Sequence, residues 1–381
     1  MSTPLRVGIA GLGRSGWGIH ASYLRTAPGL FKIEAVADLI PERVAQSAAE
    51  LGCRAYPDAE SLIADPDLDL VVVSTYNPTH AKYAEMALRA GKHVLCEKPF
   101  GLTVADVDAM AAAAKAAGRV LVPFQQRHLE KDFLKVKEIC ESGVIGDVFR
   151  IRLCWHGFGR RWDWQTARSM AGGNLNNNGP HVVDHAVTLF GDVLPDKVWA
   201  EAGGYLRSGD AEDDLKFILQ GAGHPTVEVE LANVWAYGQE RWTVCGTRGG
   251  LHGSDKHLEW KWVDFDKMPP RPLDLHSTPD RSYNGEPLEW QTGSWDAADE
   301  TANLGAGAPP PPGPTQEFYE NLHRVVTEGA APTIDLAQAR RRVATMEMIR
   351  AAAGIPAKAS GRVRGVARPG RVRRGRTVRH A

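Results

Sequence analysis

Arg6-Val-Gly-Ile-Ala-Gly11-Leu-Gly13-Arg-Ser-Gly16 is the stretch that decides the fold, because a short apolar strand leads directly into a glycine-rich turn. Within it, Gly11 permits the tight turn, Gly13 lets a pyrophosphate approach the backbone, and Gly16 allows close packing of the helix that follows. The N-terminus of that helix favours phosphate groups. The pattern therefore predicts a dinucleotide site. Its predicted contact residues are Gly11, Leu12, Gly13, Arg14, Ser15 and Gly16.

The alternation of strand-like and helical segments continues to about residue 125. Lys32–Asp38 is predicted to be a second strand, and Leu68–Thr75 is a nearly continuous apolar run, typical of a strand buried on both faces of a parallel sheet. A helix is predicted from Pro41 to Gly52, because proline favours the first helical position and glycine the position past the last. These segments predict an α/β fold with a doubly wound Rossmann domain over residues 1–125.

Asp38 ends the second predicted strand, 22 residues after Gly16. A carboxylate there would accept hydrogen bonds from the ribose hydroxyls of adenosine and repel a 2′-phosphate. The predicted cofactor is therefore NAD, although nearby Arg43 leaves NADP use open. The alternative is an ordinary turn or helix-cap aspartate before Pro41.

Glu97-Lys98-Pro99 follows another strand-like run, His93–Cys96. A lysine at the edge of the same sheet supplies a cation where a substrate hydroxyl must give up its proton. Together with the glycine-rich turn, this lysine indicates hydride chemistry. The alternative is a surface lysine in a strand-to-loop turn.

The second half of the chain has a different character, with ten of the eleven tryptophans between Trp155 and Trp295. Apolar and polar residues alternate in Thr226–Trp235, which predicts a sheet with one covered face and one face available to a partner or ligand. We predict a substrate and oligomerisation domain over residues 126–355. The helices of 315–353 are predicted to pack back on the first domain.

Composition and charge limit the function classes. No apolar run is long enough for a membrane span, and a first strand at Leu5 leaves no room for a signal peptide, so a cytoplasmic location without a membrane partner is expected. The five cysteines form no C-x-x-C pair, which indicates neither a metal site nor disulfides.

Residues 362–381 carry eight arginines and no acid. We predict a disordered basic tail over 356–381 and no nucleic-acid partner, with nucleic-acid contact by the tail as the alternative.

Three further motifs resemble, in the same order, those of the glucose-fructose oxidoreductase / inositol dehydrogenase / rhizopine-catabolism (Gfo/Idh/MocA) family. Thr75–His80 resembles its strand-end Asn-x-x-His, Glu97-Lys98-Pro99 its lysine motif, and Gly172–Asp184 its Gly-Gly-x-x-x-x-Asp-x-Gly-x-His-x-x-Asp stretch. The resemblance covers nearly the whole chain apart from the basic tail. It implies a second α/β domain with a large open, mostly antiparallel sheet, a tightly held nicotinamide cofactor, and a homodimer or homotetramer.

The same resemblance implies roles for individual residues. Lys98 would hydrogen-bond the reacting hydroxyl, and His181 would be the general base; the alternative for His181 is a packing role in the first helical turn. Asn177 stands where the family usually has an aspartate, so it can bond a substrate hydroxyl but cannot accept its proton. Either His181 works alone with Lys98 or Asp184 compensates by pairing with it, and a structural role for Asp184 is equally open. The predicted cofactor site also includes Thr75, Asn77, His80, Glu97 and Lys98.

Trp155–Trp164 mixes arginines with large rings, which suits a sugar stacked on an aromatic face with its hydroxyls bonded at the rim. The alternative is that these tryptophans fill a sheet-to-helix interface. The predicted substrate-binding residues are Arg161, Trp162, Trp164, Asn177 and His181.

The leading hypothesis is an NAD(P)-dependent oxidoreductase acting on a carbinol of a sugar, polyol or inositol, with a small-molecule carbohydrate as its partner. Two alternatives stay open, both implied by the family resemblance. One is redox-assisted glycoside cleavage with tightly bound NAD, and the other is a non-catalytic sensor of cofactor or sugar. The presence of both Lys98 and His181 counts against the sensor.

Overall fold

A computed structural model describes residues 3–298 and 313–356. Within them the chain forms two sheets, one of six strands and one of eight. Of the predicted basic tail, residues 357–381 lie outside the described residues.

The first sheet consists of β1 (Leu5–Ala10), β2 (Phe31–Ala37), β3 (Arg54–Tyr56), β4 (Leu70–Val73), β5 (His93–Cys96) and β6 (Leu121–Pro123). Its strands are all parallel and lie in the order β3-β2-β1-β4-β5-β6. The chain therefore runs outward on one side of β1 and then on the other, which confirms the predicted doubly wound sheet. In such a sheet the ligand crevice lies at the carboxyl ends of the strands, where the order reverses between β1 and β4.

Helices connect these strands: a π-helical turn over Gly16–Ala21 that leads into α1 (Ser22–Leu24), then α2 (Pro41–Leu51), α3 (Ala59–Ile63), α4 (His80–Arg89) and α5 (Val104–Ala117). Helix α2 begins at Pro41 and is ended by Gly52, whose φ of 63° is left-handed. The predicted proline start and glycine stop are therefore confirmed. Helix α5 begins with a capping box, in which the Thr103 side chain accepts a hydrogen bond from the backbone N–H of Asp106 and the Asp106 side chain bonds back.

The second sheet consists of β7 (Val148–His156), β8 (Lys197–Gly203), β9 (Asp214–Gln220), β10 (Thr226–Ala232), β11 (Trp242–Gly246), β12 (Gly249–Gly253), β13 (His257–Val263) and β14 (Trp290–Asp296). The order is β14-β13-β12-β11-β7-β10-β9-β8, and every pair is antiparallel apart from β7 with β10. The large, mostly antiparallel sheet implied by the sequence is confirmed.

Three helices cover one face of this sheet: α6 (Lys131–Ser142), α7 (Asn174–Asn177) and α8 (Gly179–Leu189). On β10, Val227, Val229 and Leu231 are fully buried in the resulting core, whereas Glu228 is half-buried and Glu230 is 7% exposed. The alternation predicted for this strand is therefore confirmed in its first half, but not at Glu230, which is buried on the opposite face of the sheet.

Two C-terminal helices, α9 (Pro314–Glu328) and α10 (Leu336–Ala352), contact both halves of the molecule. Helix α9 buries Phe318, Tyr319 and Leu322 in the core of the first sheet. Helix α10 contributes Val343 to the first-sheet core and Ile349 to the second-sheet core. The domain limits at residues 125 and 355 stay predictions. Among the described residues, no helix has the length and apolar character needed to cross a bilayer.

Candidate active site

A cleft of about 510 Å³ lies between the carboxyl edge of the first sheet and the segment where α7 ends and α8 begins. It is lined by residues of the glycine-rich turn at one end and by residues of α7 and α8 at the other. Most of the residues predicted from the sequence lie together on its wall. They are Gly11, Gly13, Arg14, Ser15, Asp38, Thr75, Asn77, His80, Glu97, Lys98, Arg161, Trp164, Asn177 and His181.

The three motif glycines meet three different steric demands. Gly11 has a φ of 95°, and a Cβ there would lie 2.4 Å from the carbonyl oxygen of Ser74. A Cβ at Gly16 would lie 1.8 Å from the carbonyl oxygen of Gly11, so the helix packs directly on the turn. At Gly13 the nearest atom to a Cβ is 4.0 Å away, which leaves room for a ligand to approach the backbone.

Leu12 and Gly16 do not line the cleft, although both were predicted to contact the cofactor. Leu12 is buried, and its backbone N–H donates a hydrogen bond of 2.7 Å to Asp38 Oδ2. Gly16 lies behind the turn, where it packs against Gly11. Both residues therefore hold the turn in its conformation and are not on the surface that faces the cleft.

Asp38, which follows β2, is held in place by contacts with its neighbours. Its Oδ1 accepts a hydrogen bond from the backbone N–H of Ile40 (2.9 Å), and Arg43 lies 3.6 Å from its Oδ2. Its side chain nevertheless lines the cleft. The carboxylate therefore stabilises its own turn, as one sequence-based interpretation has it, and it also faces the space beside the glycines, where the ribose contact stays a prediction.

The Thr75–His80 motif fastens neighbouring segments around the cleft. The ring nitrogens of buried His80 lie 3.0 Å from the carbonyl oxygens of Pro99 and Thr75, so this side chain joins the ends of β4 and β5. The Asn77 side-chain amide donates a hydrogen bond of 2.9 Å to the carbonyl oxygen of Ala171 in the second half of the chain. Ala171 has a left-handed φ of 51°, which is uncommon for a residue other than glycine.

Lys98 reaches from the end of β5 across to α7. Its ammonium group donates a hydrogen bond of 2.7 Å to the carbonyl oxygen of Asn177, and the Asn177 Oδ1 lies 3.5 Å away. Burial lowers the pKa of Lys98, and the charges of Arg127, Arg14 and Arg161 act in the same direction. The negative charge of Glu97 opposes them. Lys98 is therefore an ammonium donor that is held in the cleft wall and loses its proton more readily than a surface lysine.

His181 lies in the first turn of α8, which begins at Gly179 and has Pro180 in its first turn. Its side chain is buried and lines the cleft, and its Nδ1 has no hydrogen-bond partner. Burial moves the pKa of His181 well below its usual value, and the positive charges of Lys98 and Arg127 add to the effect. The imidazole is therefore neutral at pH 7 and is able to accept a proton.

The possibility that Asp184 pairs with His181 is wrong. Its carboxylate instead bonds His128 Nδ1 and Arg342 Nε, both at 2.8 Å. These bonds tie α8 to α10 and to the segment after β6, so Asp184 has the structural role that the sequence left open. Nothing in this geometry replaces the carboxylate that Asn177 lacks.

The outer wall of the cleft is only partly the one predicted. Arg161 lines it and is held by two hydrogen bonds of 2.9 Å to Asp163. Trp164 also lines it, with its ring edge-on to Tyr76 at a centroid distance of 5.0 Å. Trp162 is 78% exposed and lies outside the lining, so the structure does not place it where its predicted substrate contact requires.

One cluster of metal-type ligands occurs among the described residues, outside the cleft. The ligand atoms of Cys154, His156 and Glu230 lie within 4.8 Å of one another. Glu230 is already engaged by Lys216 at 3.0 Å and Arg152 at 3.4 Å. These ion pairs compete with a metal for the carboxylate.

Two family models match the chain. The model described as "Oxidoreductase family, NAD-binding Rossmann fold" matches residues 5–124, and the "GFO/IDH/MocA C-terminal domain" matches residues 133–252. The chain belongs to the Gfo/Idh/MocA oxidoreductase family. The match covers the glycine-rich turn, the lysine motif and the segment that carries His181.

Similar Gfo/Idh/MocA proteins include enzymes and proteins without a named substrate. The uncharacterized oxidoreductase YdgJ of Escherichia coli is 31% identical over 265 residues, covering 68% of this chain and 74% of YdgJ. The myo-inositol 2-dehydrogenase of Thermotoga maritima is 37% identical over 150 residues, covering 39% of this chain and 44% of that enzyme. The crystal structure of an NAD-binding protein from Listeria innocua superposes with a TM-score of 0.74 at 26% identity, covering 93% of this chain and 98% of that one.

NAD is the cofactor of this Gfo/Idh/MocA protein, and the residues of the cleft fit it. The uncovered backbone at Gly13 and the helical turn that follows suit a pyrophosphate, and the Asp38 carboxylate suits the ribose hydroxyls. The cleft volume lies in the range of cofactor and ligand sites.

Replacing Asp38 by serine is expected to shift cofactor preference toward NADP by about tenfold, because a fixed negative charge that repels the 2′-phosphate is removed while Arg43 stays. The ratio of dissociation constants for NAD and NADP, measured by calorimetry, checks this. Asp67→Ser, in an exposed loop, is the matched control. An unchanged ratio in Asp38→Ser would show that Asp38 does not face the adenosine ribose.

Several residues of the cleft wall are not among the predicted site residues. Tyr76 lies inside the Thr75–His80 motif, and Gln126 and Arg127 follow β6 at the same sheet edge, so position at a strand end was an available signal. Asp163 and Asn178 are next to predicted residues and became apparent only from the fold.

Proposed function

We propose that this protein transfers a hydride between NAD and a carbinol carbon of a sugar, polyol or inositol. The observation that carries the proposal is that the Lys98 ammonium and the neutral, unpartnered His181 imidazole line the same cleft as the glycine-rich turn. A carbinol oxidation needs a donor for the alkoxide oxygen and an acceptor for its proton, and these two side chains supply them.

Each side chain has a separate task. NAD, when bound, supplies the hydride acceptor. Lys98 donates a hydrogen bond to the substrate oxygen and stabilises the negative charge that develops there as the carbon–hydrogen bond breaks. His181 accepts the hydroxyl proton on its imidazole, for which its lowered pKa prepares it. In the reverse direction His181 returns that proton.

The polar wall of the cleft suits a polyhydroxylated ring. Tyr76 and Trp164 offer aromatic faces, and Gln126, Asn177 and Asn178 offer amide groups that bond hydroxyls as donors or acceptors. The similarity to an enzyme named myo-inositol 2-dehydrogenase supports the same substrate class. The relatives described above are named oxidoreductase or dehydrogenase, so the comparisons do not favour glycoside cleavage or a sensor.

An absorbance assay of the nicotinamide checks the proposal. Purified protein is mixed with NAD or NADP and tested against monosaccharides, inositols, polyols and simple glycosides. We expect reduction of NAD by at least one free sugar or cyclitol. Protein that binds NAD yet reduces it with no member of the panel would contradict the proposed substrate class. A homodimer or homotetramer and a cytoplasmic location stay predictions.

Asn177→Asp is expected to move both limbs of the pH–rate profile to higher pH, by about one unit. The new carboxylate would lie where Asn177 Oδ1 is now, 3.5 Å from Lys98 Nζ. A nearby negative charge favours the protonated forms of Lys98 and His181 and so raises both pKa values. The kcat/KM profile checks this, with Asn284→Asp in an exposed loop as the charge-matched control. Identical profiles for the Asn177 variant and the wild type would mean that the side chain points away from both groups.

A further inference from the structure

A chain of three buried polar side chains lies behind the lysine motif. His20 Nε2 lies 3.1 Å from Glu97 Oε1, and His20 Nδ1 lies 2.5 Å from the hydroxyl oxygen of Tyr319. His20 and Tyr319 are fully buried, and Glu97 is 4% exposed. The chain joins the helical turn after the glycine motif, the residue before Lys98, and helix α9. The mechanism proposed above uses neither His20 nor Tyr319.

The direction of the hydrogen bonds follows from the state of Glu97. Burial raises the pKa of Glu97, but the hydrogen bond from His20 and the positive charges of its neighbours bring that pKa below its usual value, so Glu97 is a carboxylate at neutral pH. A carboxylate only accepts, so His20 Nε2 carries the proton that faces it. Burial raises the pKa of Tyr319 well above its usual value, so the phenol keeps its proton. In the neutral tautomer of His20 that carries its proton on Nε2, Nδ1 is an acceptor, and the Tyr319 hydroxyl donates to it.

We propose that Tyr319 and His20 are positioning residues that hold Glu97 ionised and oriented beside Lys98. The second oxygen of Glu97 accepts a hydrogen bond of 2.9 Å from the backbone N–H of Lys98, so the same carboxylate fixes the motif and lies close enough for its charge to act on Lys98. The role of this hydrogen-bonded chain of side chains in turnover rests on the proposed function, whereas its effect on the pKa of Lys98 does not.

The charge of Glu97 matters because it opposes burial and the positive charges nearby, all of which favour loss of the Lys98 proton. Arg14 from the glycine-rich turn, Arg127 from the segment after β6 and Arg161 from the loop after β7 all lower the pKa of Lys98. His181 from α8 is neutral, so it provides no negative charge that would stabilise the ammonium group. Glu97 is thus the carboxylate that keeps Lys98 protonated against burial.

Loss of the Tyr319 hydroxyl would weaken the hydrogen bond between His20 and Glu97. Without that donor, Nδ1 of the buried imidazole has no partner, and a rotation of the ring that relieves this cost takes Nε2 away from Glu97. Burial would favour the protonated, neutral form of Glu97, and Lys98 would lose its counter-charge.

A phenylalanine at position 319 separates the hydroxyl from the packing of the ring. The Tyr319 ring stacks on Tyr23 at 4.7 Å and meets Phe31 edge-on at 5.7 Å, and phenylalanine preserves both contacts. Tyr23→Phe is the matched control, because it removes a hydroxyl from the stacked ring without touching the chain. His20→Gln is the conservative variant, because its amide donates to Glu97 and accepts from Tyr319 as the imidazole does.

Competitive acylation of Lys98 over a range of pH, read by peptide mass spectrometry, tests the proposal without any substrate. We expect the apparent pKa of Lys98 to fall by about one unit in Tyr319→Phe, and to stay at the wild-type value in Tyr23→Phe and His20→Gln. An unchanged Lys98 titration in folded Tyr319→Phe would overturn the proposal. If that variant does not fold, His20→Leu against His20→Gln gives the same comparison, and equal titrations would overturn it.

Turnover gives a second readout once a substrate is found. The alkaline limb of kcat/KM, where Lys98 loses its proton, should move to lower pH in Tyr319→Phe, with the KM for NAD unchanged. A lower rate with an unmoved limb would indicate packing alone and overturn the proposal. Absence of turnover in every variant would contradict the proposed function, while the Lys98 titration would still decide on the chain.

Discussion

Replacing Lys98 by alanine is expected to lower kcat by about 10²–10³-fold, because the donor that stabilises the developing alkoxide is removed. NAD binding should survive, since the glycine-rich turn and Asp38 hold the other end of the cleft. Steady-state kinetics together with calorimetric titration of NAD separate the two effects.

Lys115→Ala is the matched control for this prediction, because Lys115 is exposed on α5, outside the cleft. It should retain the wild-type kcat and the wild-type affinity for NAD. Wild-type turnover in Lys98→Ala would remove the lysine from the mechanism. Loss of NAD binding in the same variant would instead show that Lys98 acts on the cofactor.

His181→Asn is expected to lower kcat by about 10²–10⁴-fold and to abolish the acidic limb of the pH–rate profile. A pKa below the ordinary value of 6.5 means that the imidazole gives up its proton more readily. The base form of His181 therefore persists as the pH falls below 6.5, and wild-type activity should decline only at still lower pH. The kcat/KM profile of both proteins checks this sign.

His276→Asn, at an exposed position, is the control for loss of a histidine in general. It should keep both the rate and the acidic limb. Survival of that limb in His181→Asn would assign it to another group, and a wild-type rate would exclude His181 as the base.

The glycine-rich turn could be predicted from the sequence because its demands are local. Gly11 needs a left-handed φ and Gly16 needs the absence of a side chain, and both follow from a strand that turns into a helix within a few residues. The same reasoning located Pro41 and Gly52 at the ends of α2. Spacing alone was sufficient at each of these positions.

Pairings across long distances in the chain could not be predicted in this way. Asp184 was considered as a partner of His181 because the two share a helix face, but its partner Arg342 is 158 residues away. The contact between His20 and Tyr319 spans 299 residues. Such contacts depend on how α9 and α10 pack on the two sheets, and the sequence pattern predicts only that these helices pack on the first domain, not which residues meet.

Loop side chains were predicted less well than side chains at strand ends. Lys98 follows β5 directly, so the sheet fixes where its side chain begins. Trp162 lies in the loop after β7, where composition suggested a substrate contact but the backbone turns the ring to solvent. Its neighbour Arg161 lines the cleft because Asp163 holds it there.

Transfer of deuterium from the carbinol carbon of a substrate to NAD tests the central claim most directly. The substrate found in the absorbance panel, deuterated at each carbinol carbon in turn, would be turned over with NAD and the nicotinamide analysed by NMR. The account predicts deuterium on the nicotinamide ring from one labelled carbon and none from the others. Oxidised product without deuterium on the nicotinamide would contradict direct hydride transfer in this cleft.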